Sequence, residues 1–249
     1  MIAKSITIDF EYDWGSRLKS DYAITHTTEK ILEIFDKYKA KGTFFISTET
    51  LPRSKKYIQM IQKEGHEIAT HGHNHTLDYD IKTEDELFYQ IDTSKKLLED
   101  IIQKKVLGYR TPGFKRSKYT DDILEKLDFL YDASTTQSKM KHRYAPMQYA
   151  NSKKLIYISI STIRDRFPSG IKWINLFGQK LTGKPPHIIY AHPFDFLSIK
   201  EVFKLYNKNK IALYVLIFYL SRFGNMYSTL SNIIQNSNSI EFLIKNNKL

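Results

Sequence analysis

Polar and apolar side chains alternate over residues 5–10 (SITIDF), the period-two pattern of a strand. Behind it, Ile31, Phe35 and Tyr38 recur at helical spacing, with Thr27 or Thr28 as the hydroxyl cap and Gly42 as the stop. Residues 43–47 (TFFIS) read as a buried strand, 54–63 as a short helix closed by Gly65, and 66–70 as the next strand. Thr83 and Glu86 form a capping box ahead of a helix that carries Leu87, Ile91, Leu98 and Ile102 on one side. The alternation continues with a strand at 106–109, a helix at 120–127, and strands at 129–133, 155–160 and 187–191. Helices near 171–180, 198–206 and 211–221 fill the remainder, and 134–154 reads as a long irregular loop. No repeat or flexible linker interrupts the series. One α/β domain over residues 1–249, built on parallel strands, is the expectation.

Composition narrows the chemistry. With 41% hydrophobic and 14% aromatic residues, the 249-residue chain has the material for a full core, which excludes disordered and coiled-coil readings. It has no cysteine, which removes disulfides, thiolate-bound zinc, iron–sulfur clusters and a thiol nucleophile. The net charge of +11 favours anionic partners, yet the lysines are scattered and no nucleic-acid-binding signature is present. The first ten residues lack the basic-then-apolar order of a signal peptide. The longest apolar run, residues 211–220, is ten residues long, short of the roughly 20 that span a bilayer. A cytoplasmic protein without a transmembrane segment is expected, with peripheral contact to an acidic membrane as the alternative use of that run.

The first strand ends in Asp9-Phe10-Glu11-Tyr12-Asp13-Trp14. Residues two apart share a strand face, so Asp9, Glu11 and Asp13 are candidates to point together. Carboxylates gathered there repel unless a cation or proton sits among them. The third strand runs into Thr70-His71-Gly72-His73-Asn74-His75, which holds three of the chain's 8 histidines. Imidazole is a common ligand of first-row metals, and His71 with His75 is the pair expected to converge, with His73 the weakest of the three. The fourth strand ends in Gly108-Tyr109-Arg110-Thr111-Pro112-Gly113-Phe114 and the last in Ala191-His192-Pro193-Phe194-Asp195. Asp9, Glu11, His71, His75, Arg110, Asp132 and His192 thus all fall at the C-terminal ends of predicted strands, the active-site face of parallel α/β folds. The set reads as a metal-assisted hydrolytic site.

Several segments match known motifs in order. They are Thr7-Ile8-Asp9-Phe10-Glu11, Thr43-Phe44-Phe45, Gly65-His66-Glu67-Ile68-Ala69-Thr70-His71 followed by His75, and Arg110-Thr111-Pro112. Tyr131-Asp132-Ala133-Ser134, the strand 155–162 ending in Ser-Thr, and Ala191-His192-Pro193 complete the set. Together they resemble the polysaccharide deacetylases, the carbohydrate esterases built on the NodB homology domain. The resemblance runs from residue 5 to residue 195. It departs in the first motif, usually Thr-Phe-Asp-Asp-Gly, where Asp-x-Glu stands here; Glu11 takes the ligand position by analogy, with Asp13 as the alternative. Asp-Phe-Glu-Tyr-Asp-Trp together with His-Pro-Phe resembles the subgroup linked to surface-polysaccharide and O-antigen gene clusters.

The resemblance implies a distorted open (β/α) barrel of about seven parallel strands and one divalent metal ion on Glu11, His71 and His75. Zinc is the first choice, with cobalt, nickel, manganese and iron as alternatives. It further implies Asp9 as general base, Arg110 to orient Asp9 and balance its charge, and His192 as general acid. Asp195 or Asp132 would steer His192 or Arg110. Trp14, Tyr109, Phe114 and Phe194 lie beside these motifs and are candidates to stack on sugar faces. The implied activity is N-deacetylation of an acetylated sugar, nucleotide- or lipid-linked, in surface-polysaccharide synthesis. The competing readings are another metal-dependent C–N hydrolase (a deformylase or an allantoinase-like enzyme), a barrel in which His71 and His73 form a His-x-His metal motif, and a non-catalytic protein that binds glycan or an anionic surface.

Overall fold

The strands β1 (Lys4–Phe10), β2 (Thr43–Ile46) and β3 (Glu67–Thr70) are buried at nearly every position, as strands covered on both faces must be. They continue into β4 (Gly108–Tyr109), β5 (Tyr131–Thr136) and β6 (Ile156–Ile160). The computed structural model describes residues 3–75, 78–136, 152–163, 167–178, 181–182, 186–209 and 224–248. The apolar run 211–220 and most of the predicted loop 134–154 lie outside the described residues; residues 134–136 belong to β5.

A small antiparallel sheet of β7 (Thr162–Ile163), β8 (Phe167–Pro168) and β9 (Leu181–Thr182) follows, which the sequence pattern did not predict. β10 (His187–Ala191) then returns to the main sheet, beside β1. The seven main strands are all parallel, in the order β10-β1-β2-β3-β4-β5-β6. Just beyond β6, Ser161 bonds Ile188 of β10 twice, N–H to O at 3.1 Å and Oγ from N–H at 2.9 Å. The sheet is therefore a nearly closed barrel, as expected.

Helices α1 (Tyr22–Lys37), α2 (Leu51–Lys63), α3 (Glu84–Ile102) and α4 (Thr120–Lys126) come from the expected segments. α5 (Ile171–Phe177) and α6 (Ile199–Asn209) do as well, while α7 (Met226–Ile233) and α8 (Ile240–Lys245) were not anticipated. The Thr83–Glu86 capping box starts α3 as predicted. α1 instead begins ahead of Thr27 and Thr28, whose hydroxyls donate inside the helix to Ala23 O and Ile24 O at 2.8 and 2.6 Å. Its first turn is capped from outside, where Asp13 Oδ1 accepts the Ala23 N–H at 3.1 Å. Among the described residues, no helix is long and apolar enough to cross a membrane.

Strand alternation sorts the residues into two sets. Ile6, Ile8, Phe10, Phe44, Ile46, Tyr109 and Ile189 join the layer packed under the helices. Phe45, Ala69, Tyr131, Ala133, Ile158, Ile160 and Ile188 form a second cluster that fills the barrel. Thr7, Asp9 and Glu11 alternate with the first set, so they point into the barrel at its C-terminal mouth. Asp132 lies on the outer side, facing the buried Arg116, whose Nε–H it accepts at 2.7 Å. Arg116 pairs also with Asp121, and Asp121 accepts the Tyr157 hydroxyl at 2.7 Å, so the group ties the segment before α4 to α4, β5 and β6.

At the opposite end, Glu67 accepts hydrogen bonds from Thr43 Oγ1 (2.7 Å), Tyr131 Oη (2.8 Å) and the Glu241 N–H (2.9 Å). This carboxyl fastens α8 across the bottom of the barrel.

Asp132→Ala removes one carboxylate from a buried guanidinium and is expected to destabilise the fold by about 3 kcal/mol in urea denaturation. Glu67 gives a pH signature. Burial pushes its pKa from 4.5 up to about 7, against the pull of its three donors. The native state then holds the proton more tightly than the unfolded chain, so this stabilisation is complete below pH 4.5 and lost as pH rises through 7. Wild type is therefore expected to lose on the order of 3 kcal/mol of stability relative to Glu67→Gln over that window.

Candidate active site

Glu11 is 2% exposed and stands one residue past β1. Its Oε2 lies 2.5 Å from His75 Nε2 and 3.4 Å from His71 Nε2. One ligand atom from each of the three residues falls within 4.8 Å of the others, and they are the group able to hold a metal ion that is found among the described residues. His71 follows β3 directly, and its Nδ1 donates to the backbone carbonyl of Arg110 at 2.8 Å. A carbonyl only accepts, so Nδ1 carries a ring proton, and Nε2 is the nitrogen that faces the Glu11 carboxylate. Two imidazole nitrogens aimed at one buried carboxylate oxygen, which has no hydrogen bond of regular geometry, need a cation or protons between them. The set fits a divalent ion of the zinc type.

The same electrostatics appear in the ionisation of these groups. Burial raises the Glu11 pKa, but His75, His71 and His192 outweigh it and hold the carboxyl well below its ordinary range. Burial lowers His75, and Glu11 more than offsets that, so its pKa is raised.

Arg110, the first residue beyond β4, points inward with its side chain fully buried. Nη1 donates to Asp9 Oδ1 at 2.5 Å and to Thr7 Oγ1 at 2.9 Å, and Nε to Ala133 O at 3.1 Å. His192 follows β10 and reaches across the mouth, with Nε2 3.9 Å from Asp9 Oδ2 and 3.8 Å from Glu11 Oε1. Its Nδ1 lies 3.1 Å from Asp195 Oδ2, and Lys172 Nζ is 3.1 Å from the other Asp195 oxygen. Burial disfavours the His192 charge, but Asp195, Glu11 and Asp9 prevail and raise its pKa to about 9.

Asp9, Glu11, His71, His75, Arg110 and His192 are therefore brought together, with Asp195 behind His192. Asp132 is not: its partner is Arg116, and Asp195 is the carboxylate that steers the site. Asp13 is buried below the mouth as the cap of α1, where burial raises its pKa to about 6, and it stands apart from the three candidate ligands. His73 turns away to Thr48 Oγ1, 2.9 Å from its Nδ1.

The aromatic candidates divide. Tyr109 is wholly buried under the helices against Phe129, so the expectation that it meets sugar is corrected. Strand parity turns it away from Arg110. Phe114 is buried with its ring 5.6 Å from the Arg110 guanidinium. Phe194 is sandwiched, stacked on His192 at 4.5 Å between centroids and on Trp14 at 6.3 Å, so it supports the His192 ring. Trp14 remains half-buried at the rim. It opens a turn in which Trp14, Gly15 and Ser16 all have left-handed φ, 55°, 66° and 56°. That turn passes over two of the candidate ligands: a Cβ on Gly15 would lie 3.5 Å from His75 Cε1 and 3.8 Å from Glu11 Oε1.

Arg116, Lys172 and Glu49, which accepts the His75 N–H at 3.1 Å, were not singled out from the sequence. Only Glu49 carried a signal, since it too follows the C-terminal end of a strand.

A peptidoglycan deacetylase of Helicobacter pylori is 29% identical over 107 residues, 42% of this chain and 36% of its own length. The chain spans between 30% and 45% of the curated relatives it matches. Among solved structures, a family 4 carbohydrate esterase of Bacillus subtilis superposes with a TM-score of 0.55 at 20% identity, covering 98% of this chain and 81% of that one. A family 4 pseudoenzyme of Bacillus anthracis gives 0.55 at 16% identity, over 97% and 65%. At these identities the likeness carries the barrel and nothing finer. The family model for polysaccharide deacetylase matches residues 2–131, 130 of the 249 residues, and on that match the chain belongs to the polysaccharide deacetylase family.

Proposed function

We propose that this protein is a metal-dependent hydrolase that removes the N-acetyl group from an acetamido sugar. The observation that carries the reading is the convergence at one barrel mouth of a Glu11–His71–His75 donor set, an Arg110-paired Asp9 and an Asp195-paired His192. A family 4 pseudoenzyme shares the fold, so the fold alone carries no activity; the filled positions do.

A divalent ion on Glu11, His71 and His75 supplies polarisation of the amide carbonyl and acidification of the attacking water. The remaining steps belong to the chain. Asp9 Oδ2, the oxygen not taken by Arg110, accepts the proton of the water. Arg110 fixes the direction of that oxygen, because its own groups are held by Thr7 and Ala133. His192 Nε2, at 3.9 Å from Asp9 Oδ2, donates a proton to the leaving amine nitrogen from the opposite rim. Asp195 accepts from Nδ1 and so keeps the ring turned inward. Trp14 is the aromatic that substrate meets at the rim.

The substrate is a sugar on a nucleotide or lipid carrier, used in cytoplasmic steps of surface-polysaccharide or O-antigen synthesis. The net charge of +11 suits a phosphorylated carrier, and the Asp-x-Glu first motif suits that subgroup.

Metal analysis of protein purified without a His tag tests the reading first. About one zinc-type ion per chain is expected, absent from the His71→Ala/His75→Ala variant. A wild type that takes up no metal after reconstitution overturns the reading and leaves a glycan-binding protein. Asp9→Asn is expected to keep its metal while losing about a hundred- to ten-thousand-fold in acetate release from acetylated sugar nucleotides. Release of formate or a ureide product in place of acetate would assign the site to another C–N bond.

A further inference from the structure

The two candidate histidine ligands are held in different ways. His71 has a ring partner, the Arg110 carbonyl. His75 has none among the described residues: its buried Nδ1 makes no hydrogen bond. A ligand histidine is ordinarily oriented through its second nitrogen, so His75 has to be positioned through its backbone.

The 3-10 turn Thr48–Thr50, which follows β2, supplies that hold. The Thr48 N–H donates to Gly72 O at 3.1 Å and the Glu49 N–H to His73 O at 2.8 Å. The Glu49 side chain then accepts the His75 N–H on Oε1 at 3.1 Å. Its other oxygen pairs with Lys19, from the segment after the left-handed turn that passes over Glu11 and His75. The Glu49 side chain is 10% exposed and Lys19 56%, so the inner bond is shielded while the outer pair is open to solvent.

We infer that Glu49 is the positioning residue for the His75 ligand: its carboxylate fixes the His75 backbone, and through Lys19 it ties the covering turn to the same point. The inference rests on the metal reading above. Glu49 is not one of the three candidate ligands.

The test is zinc affinity of the full chain, measured by chelator competition, for Glu49→Ala, Glu49→Asp, Glu49→Gln and Lys19→Met. Glu49→Ala is expected to weaken zinc binding by about 10- to 100-fold, the usual effect of losing such a support. Glu49→Asp is too short to reach the His75 N–H and is expected to weaken it likewise. Glu49→Gln keeps an acceptor there and is expected to remain near wild type, and Lys19→Met to change least. Saturating zinc should restore acetate release in the weakened variants. In metal-free protein the His75 amide should exchange faster with Glu49→Ala than with Glu49→Gln.

Wild-type affinity in Glu49→Ala overturns the inference, as does a Glu49→Gln as weak as Glu49→Ala, which would make charge the cause. If Glu49→Ala does not fold, the Asp and Gln variants decide by the same criterion. A wild type that binds no zinc overturns the metal reading itself, an outcome distinct from wild-type-like binding by the variants.

Discussion

A guanidinium with no exposed surface sits at the mouth of the barrel, and the site is arranged around it. Burying such an ion costs far more than one hydrogen bond returns, so Arg110 is held by several acceptors and a π face, with Nη2 left without a hydrogen-bond partner among the described residues. The three acceptors come from two strands: Asp9 and Thr7 of β1, and Ala133 O of β5. The Phe45 ring of β2 lies 4.0 Å from the guanidinium. Because the desolvation of both ions offsets their attraction, the Arg110–Asp9 pair contributes orientation more than stability. The backbone of the same residue bonds Thr70 O through its N–H and takes the ring proton of His71 on its carbonyl. One residue thus aims the proposed base and also sets the tautomer of a proposed ligand.

Much of this was readable from the chain. Asp9, Glu11, His71, His75, Arg110 and His192 stand where strands end, and the period of two in β1 predicted that Asp9 and Glu11 share a face. Two of the misplaced residues, Tyr109 and Asp132, come from not carrying that parity onward. Tyr109 precedes the inward Arg110 by one position, so it must point out. Asp132 pairs in register with Tyr109 across β4 and β5, and neighbours in register share a face. Asp132 therefore looks outward too, to Arg116.

Other features had no local signal. The start of α1 is set by Asp13, ten residues before the N–H it accepts, so the favourable caps Thr27 and Thr28 lost to a contact formed only in the folded chain. Lys172 meets Asp195 because α5 packs beside β10, and no motif announces it. Glu49 is intermediate. It was visible as a polar residue after β2, but its role depends on the path of the 71–75 loop, which turns through left-handed Gly72. Motifs mark what does chemistry; the residues that hold them in place are distributed by topology.

The charges at the mouth alternate in sign along a line: Lys172, Asp195, His192, then Asp9 and Glu11, then His71 and His75 on one side and Arg110 on the other. Each carboxylate lies beside a basic group, and His192 lies between carboxylates, which is how so many ionisable groups share a space nearly closed to water. His192 is the point where the pattern is most sensitive. Burial works against its charge, yet Asp195, Glu11 and Asp9 raise its pKa to about 9, higher than suits proton donation at neutral pH. Lys172 holds the other oxygen of Asp195, and its charge helps to keep that carboxyl ionised despite burial. In the proposed reaction a divalent ion on Glu11 would spend the negative charge that now faces His192 Nε2, so the acid would be tuned by the carboxylate proposed as a ligand.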